Sequence, residues 1–291
     1  MNNKYLLYTD STCDLTPELY DELDLKRFYL KVNFDGREYK DNGKDIDYKH
    51  FYQRMAAGSM PTTVQLNVQQ FLDEFTPLLK EGFDILYLAF SSALSGTYNS
   101  ACIAISELSE QFPERKICVI DSLAACGGEG LYAYCVAKKR LEGASFDELR
   151  VWAEKFRYNI CHFFTVNDLL HLHRGGRVSK TSAILGTLVG IKPAMYVNNL
   201  GELCLGSKVR GRAAALKTLV TKLCECVMDP EDNIIIINQA DCEDEANHVA
   251  DMIRERINIK EIKVLPMGPV IGAHVGLGCM ALFAVGYERK W

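Results

Sequence analysis

No apolar stretch in these 291 residues runs to membrane-spanning length before a Gly, a Pro or a charge interrupts it, so nothing reads as an integral membrane segment. An excess of positive charge is missing too. With 33 Lys and Arg against 38 Asp and Glu the net charge is −5, which argues against a protein that neutralises nucleic-acid phosphates or lies on an acidic bilayer. Neither G-x-G-x-x-G nor G-x-x-x-x-G-K-[ST] occurs, so no loop is built to cradle a dinucleotide or a nucleoside triphosphate. Internal repeats and low-complexity segments are absent as well. The eleven cysteines are an odd number scattered among strand-like and helix-like runs, which does not read as a disulfide framework. Met1-Asn2-Asn3-Lys4 leads straight into a strand-like run without a visible cleavable signal, and the expectation is a cytoplasmic chain with reduced thiols.

What is present is an alternation of strand-like and helix-like runs, which predicts α/β architecture with a largely parallel sheet. Tyr5–Thr9 reads as the first strand. Thr16-Pro17 starts a helix as N-cap and N1. Asn67 with Gln70 and Ser145 with Glu148 form capping boxes, and Glu129–Leu141 is a helix closed by Gly143. A second unit opens with a strand over His162–Val166. It continues with a hairpin turning at Asn198–Gly201, helices over Ala213–Val227 and Glu243–Ile257, and strands over Asn233–Asn238 and Ile262–Leu265. The expected domains are residues 1–159 and 160–291.

Four segments place hydroxyls, glycines or a cation at the end of an apolar element: Asp10–Asp14, Pro61–Gln65, Ser91–Thr97 and Gly272–Gly278. Each alone is also ordinary turn chemistry. Together they point to a site, because ligands of open α/β sheets sit outside the strand ends where such loops gather. The apolar run Ile85–Phe90 followed by Ser95-Gly96 at a helix start suits a small anion, such as a carboxylate or one phosphate. Asp10 and Asp14 lack the Asp-x-Asp spacing of a phosphotransferase loop and read as capping or turn residues. Ala93 stands where a G-x-S-x-G elbow needs its first glycine, which argues against a serine hydrolase. His171-x-His173 and Cys224-x-Cys226 are spaced so that helical partners face apart, and no metal is expected. Arg174-Gly175-Gly176-Arg177 and Arg210-Gly211-Arg212 are basic turns fit to rim an anion site. His274, between Gly272 and Gly276, reads as lying on exposed, tightly turning backbone.

These residues resemble the DegV family, bacterial fatty-acid-binding proteins that serve as lipid-carrying subunits of fatty acid kinase. The likeness rests on Asp10-Ser11-Thr12-Cys13-Asp14-Leu15, Pro61-Thr62-Thr63, Ser91–Thr97, Gly175-Gly176-Arg177-Val178-Ser179, Ile191-Lys192-Pro193, Val209–Arg212 and Ile271–Gly276. It implies two α/β domains, the N-terminal one with a mainly parallel sheet, with a ligand tunnel running from the cleft between them, one long-chain fatty acid as ligand, and no other cofactor and no catalytic residue. It implies that Thr63, Ser95 and the Gly96 N–H hold the carboxylate. Arg177 and His274, together with Arg210 or Arg212, would stand near the head group or where the kinase's ATP-binding subunit docks. Val64, Leu66 and Leu277 depart from the family pattern of a serine and two prolines; Val64 removes a second hydroxyl from the head-group region. Two other readings stay open: a hydrolase or phosphotransferase with His274 as base near Ser95, and a lipid sensor or carrier that works without a kinase.

Overall fold

The computed structural model describes residues 5–179 and 190–291. In the first half, β1 (Tyr5–Asp10) leads to α1 (Pro17–Glu22), where the Thr16 side chain accepts from the Leu19 N–H and Pro17 fills the first turn. Then come β2 (Lys26–Phe28), β3 (Lys31–Phe34), β4 (Arg37–Lys40), α2 (Tyr48–Ala56) and β5 (Thr62–Val64). Both expected capping boxes form, at the starts of α3 (Val68–Lys80) and, after β6 (Asp84–Ala89), α4 (Thr97–Gln111), β7 (Ile117–Asp121) and α5 (Gly127–Leu141), of α6 (Phe146–Phe156). The main sheet has the order β2-β1-β6-β7 with every pair parallel. A second, antiparallel sheet, β4-β3-β5, was not expected. Its strands are three or four residues long, too short to display a period.

The second half holds β8 (Ile160–Thr165), α7 (Leu169–Arg174), β9 (Ile191–Val197), β10 (Leu203–Arg210), α8 (Arg212–Cys226), β11 (Ile234–Gln239), α9 (Glu243–Arg254), β12 (Glu261–Pro266), α10 (Pro269–Val275) and β13 (Met280–Val285). Its sheet runs β10-β9-β8-β13-β11-β12, and only β11 and β12 pair in parallel. The mainly parallel sheet expected of the N-terminal domain is thus found in the first half, while this second sheet is mixed. β13, the last strand of the chain, returns between β8 and β11 and is antiparallel to both, and the alternation of elements carries no mark of that return.

Both faces of this sheet are covered, and the side chains sort by the period of two. Ile160 and Phe164 of β8 and Ala281 and Phe283 of β13 face a core shared with α5 and the first-half sheet. Cys161, Phe163, Leu282 and Ala284 face α8 and α9. The shared core is continuous: Leu86 and Leu88 of β6 belong to it along with Phe164 and Phe283. Helix α10 reaches the other way. It packs on α2, β3 and β5, and its Val270 lies in the core built by Phe71, Phe75 and Tyr87. This exchange is what brings position 274 to position 63.

Candidate functional site

The parallel strand β6 ends in a loop whose Ser91 is anchored on both sides: its N–H donates to Ala124 O (2.9 Å) and its Oγ to Gly201 O (2.9 Å) in the second-half hairpin. Four residues on, the Ser95 N–H closes on Ser91 O (3.1 Å), and Gly96 begins α4. The Ser95 hydroxyl donates to Thr97 Oγ1 (3.0 Å) and accepts from the Thr97 N–H (3.2 Å). From the second half, Arg177 lies beyond the end of α7 and donates through Nε to Leu94 O (2.8 Å) and through Nη1 to Gly175 O. The guanidinium thus holds the peptide that carries Ser95.

Thr63, on the edge strand β5, pairs with His274 of α10: Oγ1 and Nε2 are 2.9 Å apart. His274 sits in the last turn of a helix and is half-buried, not on the exposed turn its flanking glycines suggested. Its Nδ1 is buried without a hydrogen-bond partner among the described residues and faces Gly175, where any Cβ would collide with the ring. Burial, reinforced by the charge of Arg177, pushes its pKa down to about 4, because an imidazolium in that setting loses solvation. The ring is therefore neutral at physiological pH. An NMR titration should find His274 ionising near pH 4, well below an exposed histidine; a midpoint near 6.5 would contradict this environment.

These groups meet at one end of a cavity of about 1040 Å³, counting its open mouth. Thr63, Gln65, Ser95, Arg177 and His274 line that end and are partly or fully exposed, whereas the remaining wall is mostly buried and apolar. Phe90 and Leu94 come from the first half, Phe164 and Phe283 from the second, and Ile271 from the exchanged helix. Among the described residues, Arg177 is the only formally charged side chain on the wall. An elongated apolar ligand with a single anionic end matches this distribution. His162 lines the wall as well: its Nδ1 pairs with Ile160 O at 3.0 Å, its Nε2 accepts from the Ala125 N–H at 3.3 Å, and burial keeps it neutral.

The structure thus gathers Thr63, Ser95, Arg177 and His274 and leaves three predicted residues, Gly96, Arg210 and Arg212, outside the cavity lining. Arg210 is exposed at the end of β10, and Arg212 is held by Glu245 (Nη2 to Oε2 2.5 Å). Gly96 does not face the cavity either; the Gln65 amide covers it. Gln65 was missed, although it lies two residues after Thr63, where the strand period places a side chain on the same face. Of the family departures, Val64 points outward and Leu66 is buried beside Phe71. Asp10 and Asp14 hold turns, as expected: Asp10 accepts from the Thr12 N–H, and Asp14 adopts a left-handed backbone at the end of that turn.

A family model described as "Uncharacterised protein, DegV family" matches residues 4–286. The chain belongs to the DegV family. A DegV domain-containing protein of Clostridium perfringens is 43% identical over 288 residues, which span 99% of each chain. Among solved DegV structures, a fatty-acid-binding protein from Thermus thermophilus superposes with TM-score 0.85 at 28% identity, covering 97% of this chain and 99% of that one. A stearic-acid-binding protein from Eubacterium ventriosum gives TM-score 0.85 at 27% identity, covering 96% and 97%. No described helix is long and apolar enough to cross a membrane.

Proposed function

We propose that this DegV protein is a cytoplasmic carrier that holds one long-chain fatty acid, tail in the cavity and carboxylate at Thr63 and Ser95, and presents that carboxylate to the ATP-binding subunit of a fatty acid kinase. The observation that carries the reading is the cavity itself, apolar along its length and cationic only at its open end. The ligand proposed is a sixteen-carbon acid or one of similar length, whose tail matches the apolar wall. Burying its methylenes contributes about 0.8 kcal/mol each, on the order of 12 kcal/mol before ordering costs. A ligand held so firmly does not diffuse to an enzyme unaided, so its carrier must present it.

The mouth suits presentation. When the neutral His274 donates from Nε2 to Thr63 Oγ1, the Thr63 hydrogen is free to donate to a carboxylate oxygen. Neutral hydroxyl donors orient a carboxylate without the charge neutralisation of a bidentate arginine, and so leave it nucleophilic. Arg177 acts first through the Leu94 carbonyl, as a positioning residue for Ser95. The exposed Arg210 suits docking better than Arg212, which is tied to Glu245.

A stand-alone hydrolase with a Ser95–His274 dyad is less well supported, since His274 Nε2 pairs with Thr63 and not with Ser95, whereas a nucleophile and its base must be in hydrogen-bond reach. Ser95→Ala and Thr63→Ala should each weaken fatty-acid retention about tenfold, the loss of one hydrogen bond to a charged group, as read by displacement of a fluorescent fatty acid. The presentation role is tested by supplying the loaded protein to a fatty acid kinase subunit with ATP. Acyl phosphate should form, and its absence with an active kinase would favour a kinase-independent carrier or sensor.

A further inference from the structure

Gly96 has φ −74° and ψ −2°, a conformation open to any residue, so the backbone does not require glycine there. Space does. A Cβ at Gly96 would stand 2.7 Å from Gln65 Nε2 and 2.9 Å from Gln65 Cδ, and closer still to Oε1. The Gln65 amide is therefore laid directly on the backbone at the start of α4, beside Ser95. It makes no hydrogen bond to any described residue, and it lines the same cavity end as Thr63 and Ser95. The Gln65 side chain, exposed and without a hydrogen bond to any described residue, thus has both amide hydrogens available to a ligand at this end of the cavity.

We infer that Gln65 is a third neutral donor to the carboxylate of the bound ligand, and that position 96 is glycine to admit it. The inference rests on the fatty-acid reading above. A primary amide offers two N–H donors and no charge, so it fixes the orientation of a carboxylate in the same manner as the two hydroxyls. Gly96 then serves by lacking a side chain, in place of the backbone-donor role that the family likeness implies for it.

The test uses the full chain stripped of lipid, with hexadecanoate and hexadecanol as probes; they share a tail and differ in the anionic end. Gln65→Ala should weaken hexadecanoate binding about tenfold, the worth of one charge-assisted hydrogen bond, and leave hexadecanol binding unchanged. Gln65→Glu should weaken hexadecanoate further at pH 8, because two carboxylates then face each other. Gly96→Ala should reproduce the Gln65→Ala defect, and the double variant should be no worse than either single one. Unchanged hexadecanoate affinity in Gln65→Ala, or an equal loss for both probes, would overturn the inference while leaving the fatty-acid reading intact. Wild-type protein that binds neither probe would bring down the reading and the inference together.

Discussion

Ala281→Trp should empty the cavity of long acyl chains while the fold persists. Ala281 alternates with Leu282 along β13 and faces the cavity with Phe283, on the inner side of a sheet whose other side is packed by α8 and α9. A Trp there takes the room of about four methylenes, each worth about 0.8 kcal/mol when buried. The expected loss for a sixteen- or eighteen-carbon acid is roughly a hundredfold or more in affinity. Because the new ring enters existing empty space, the overpacking cost to the fold should stay within about 1–3 kcal/mol. Ala281→Leu supplies the graded control, with preference moved toward shorter acids. Undiminished affinity for long acids in a folded Ala281→Trp protein would show that the tail does not lie along this wall.

A second large effect concerns stability and pH. Asp41 is 3% exposed, and neither of its carboxylate oxygens has a hydrogen-bond partner of normal geometry among the described residues, although the hydroxyls of Ser11 and Tyr48 stand beside it. Its neighbour Asp14 is buried too and accepts from the Gly268 N–H (2.8 Å) and the Cys126 thiol (3.2 Å). Desolvation pushes Asp41 up to about 7 and raises Asp14 well above the usual carboxylate range, the charge of Asp41 adding to the effect. The folded protein thus keeps a proton that the unfolded chain releases near pH 4, so the contribution of this group to stability is greatest below about pH 4 and falls as pH rises toward 7. The buried Asp10 and Glu129 act in the same direction; the depressed His162 and His274 act oppositely, below about pH 6.5. Asp41→Asn removes one contribution of a few kcal/mol. Its melting temperature should exceed that of the wild type at pH 8, with the advantage shrinking by pH 5. A difference that does not vary with pH would contradict the assignment.

Much of the framework was legible because local chemistry decided it. The capping pairs Asn67/Gln70 and Ser145/Glu148, the Thr16-Pro17 start and the hairpin at Asn198–Gly201 are short-range devices, and each stands where the sequence puts it. The start of α5 was read two residues late, since Gly127 and Gly128 are poor helix formers that enter the helix through tertiary packing. β13 was not anticipated, nor was its antiparallel place at the centre of the sheet, because an apolar run does not encode its partner. The site was half legible. Thr63, Ser95, Arg177 and His274 could be singled out by residue type and position, but the pairing of Thr63 with His274 depends on α10 crossing to the other half of the molecule. Gln65 was within reach of a simple period-two argument, whereas Asp41 carried no local signal of its burial.

The most direct measurement is mass spectrometry of freshly purified protein under denaturing conditions, with released lipid counted against chain. The account predicts close to one long-chain fatty acid per chain, lost in Ala281→Trp. Protein that emerges without lipid, and that fails to take up hexadecanoate when it is offered, would contradict it.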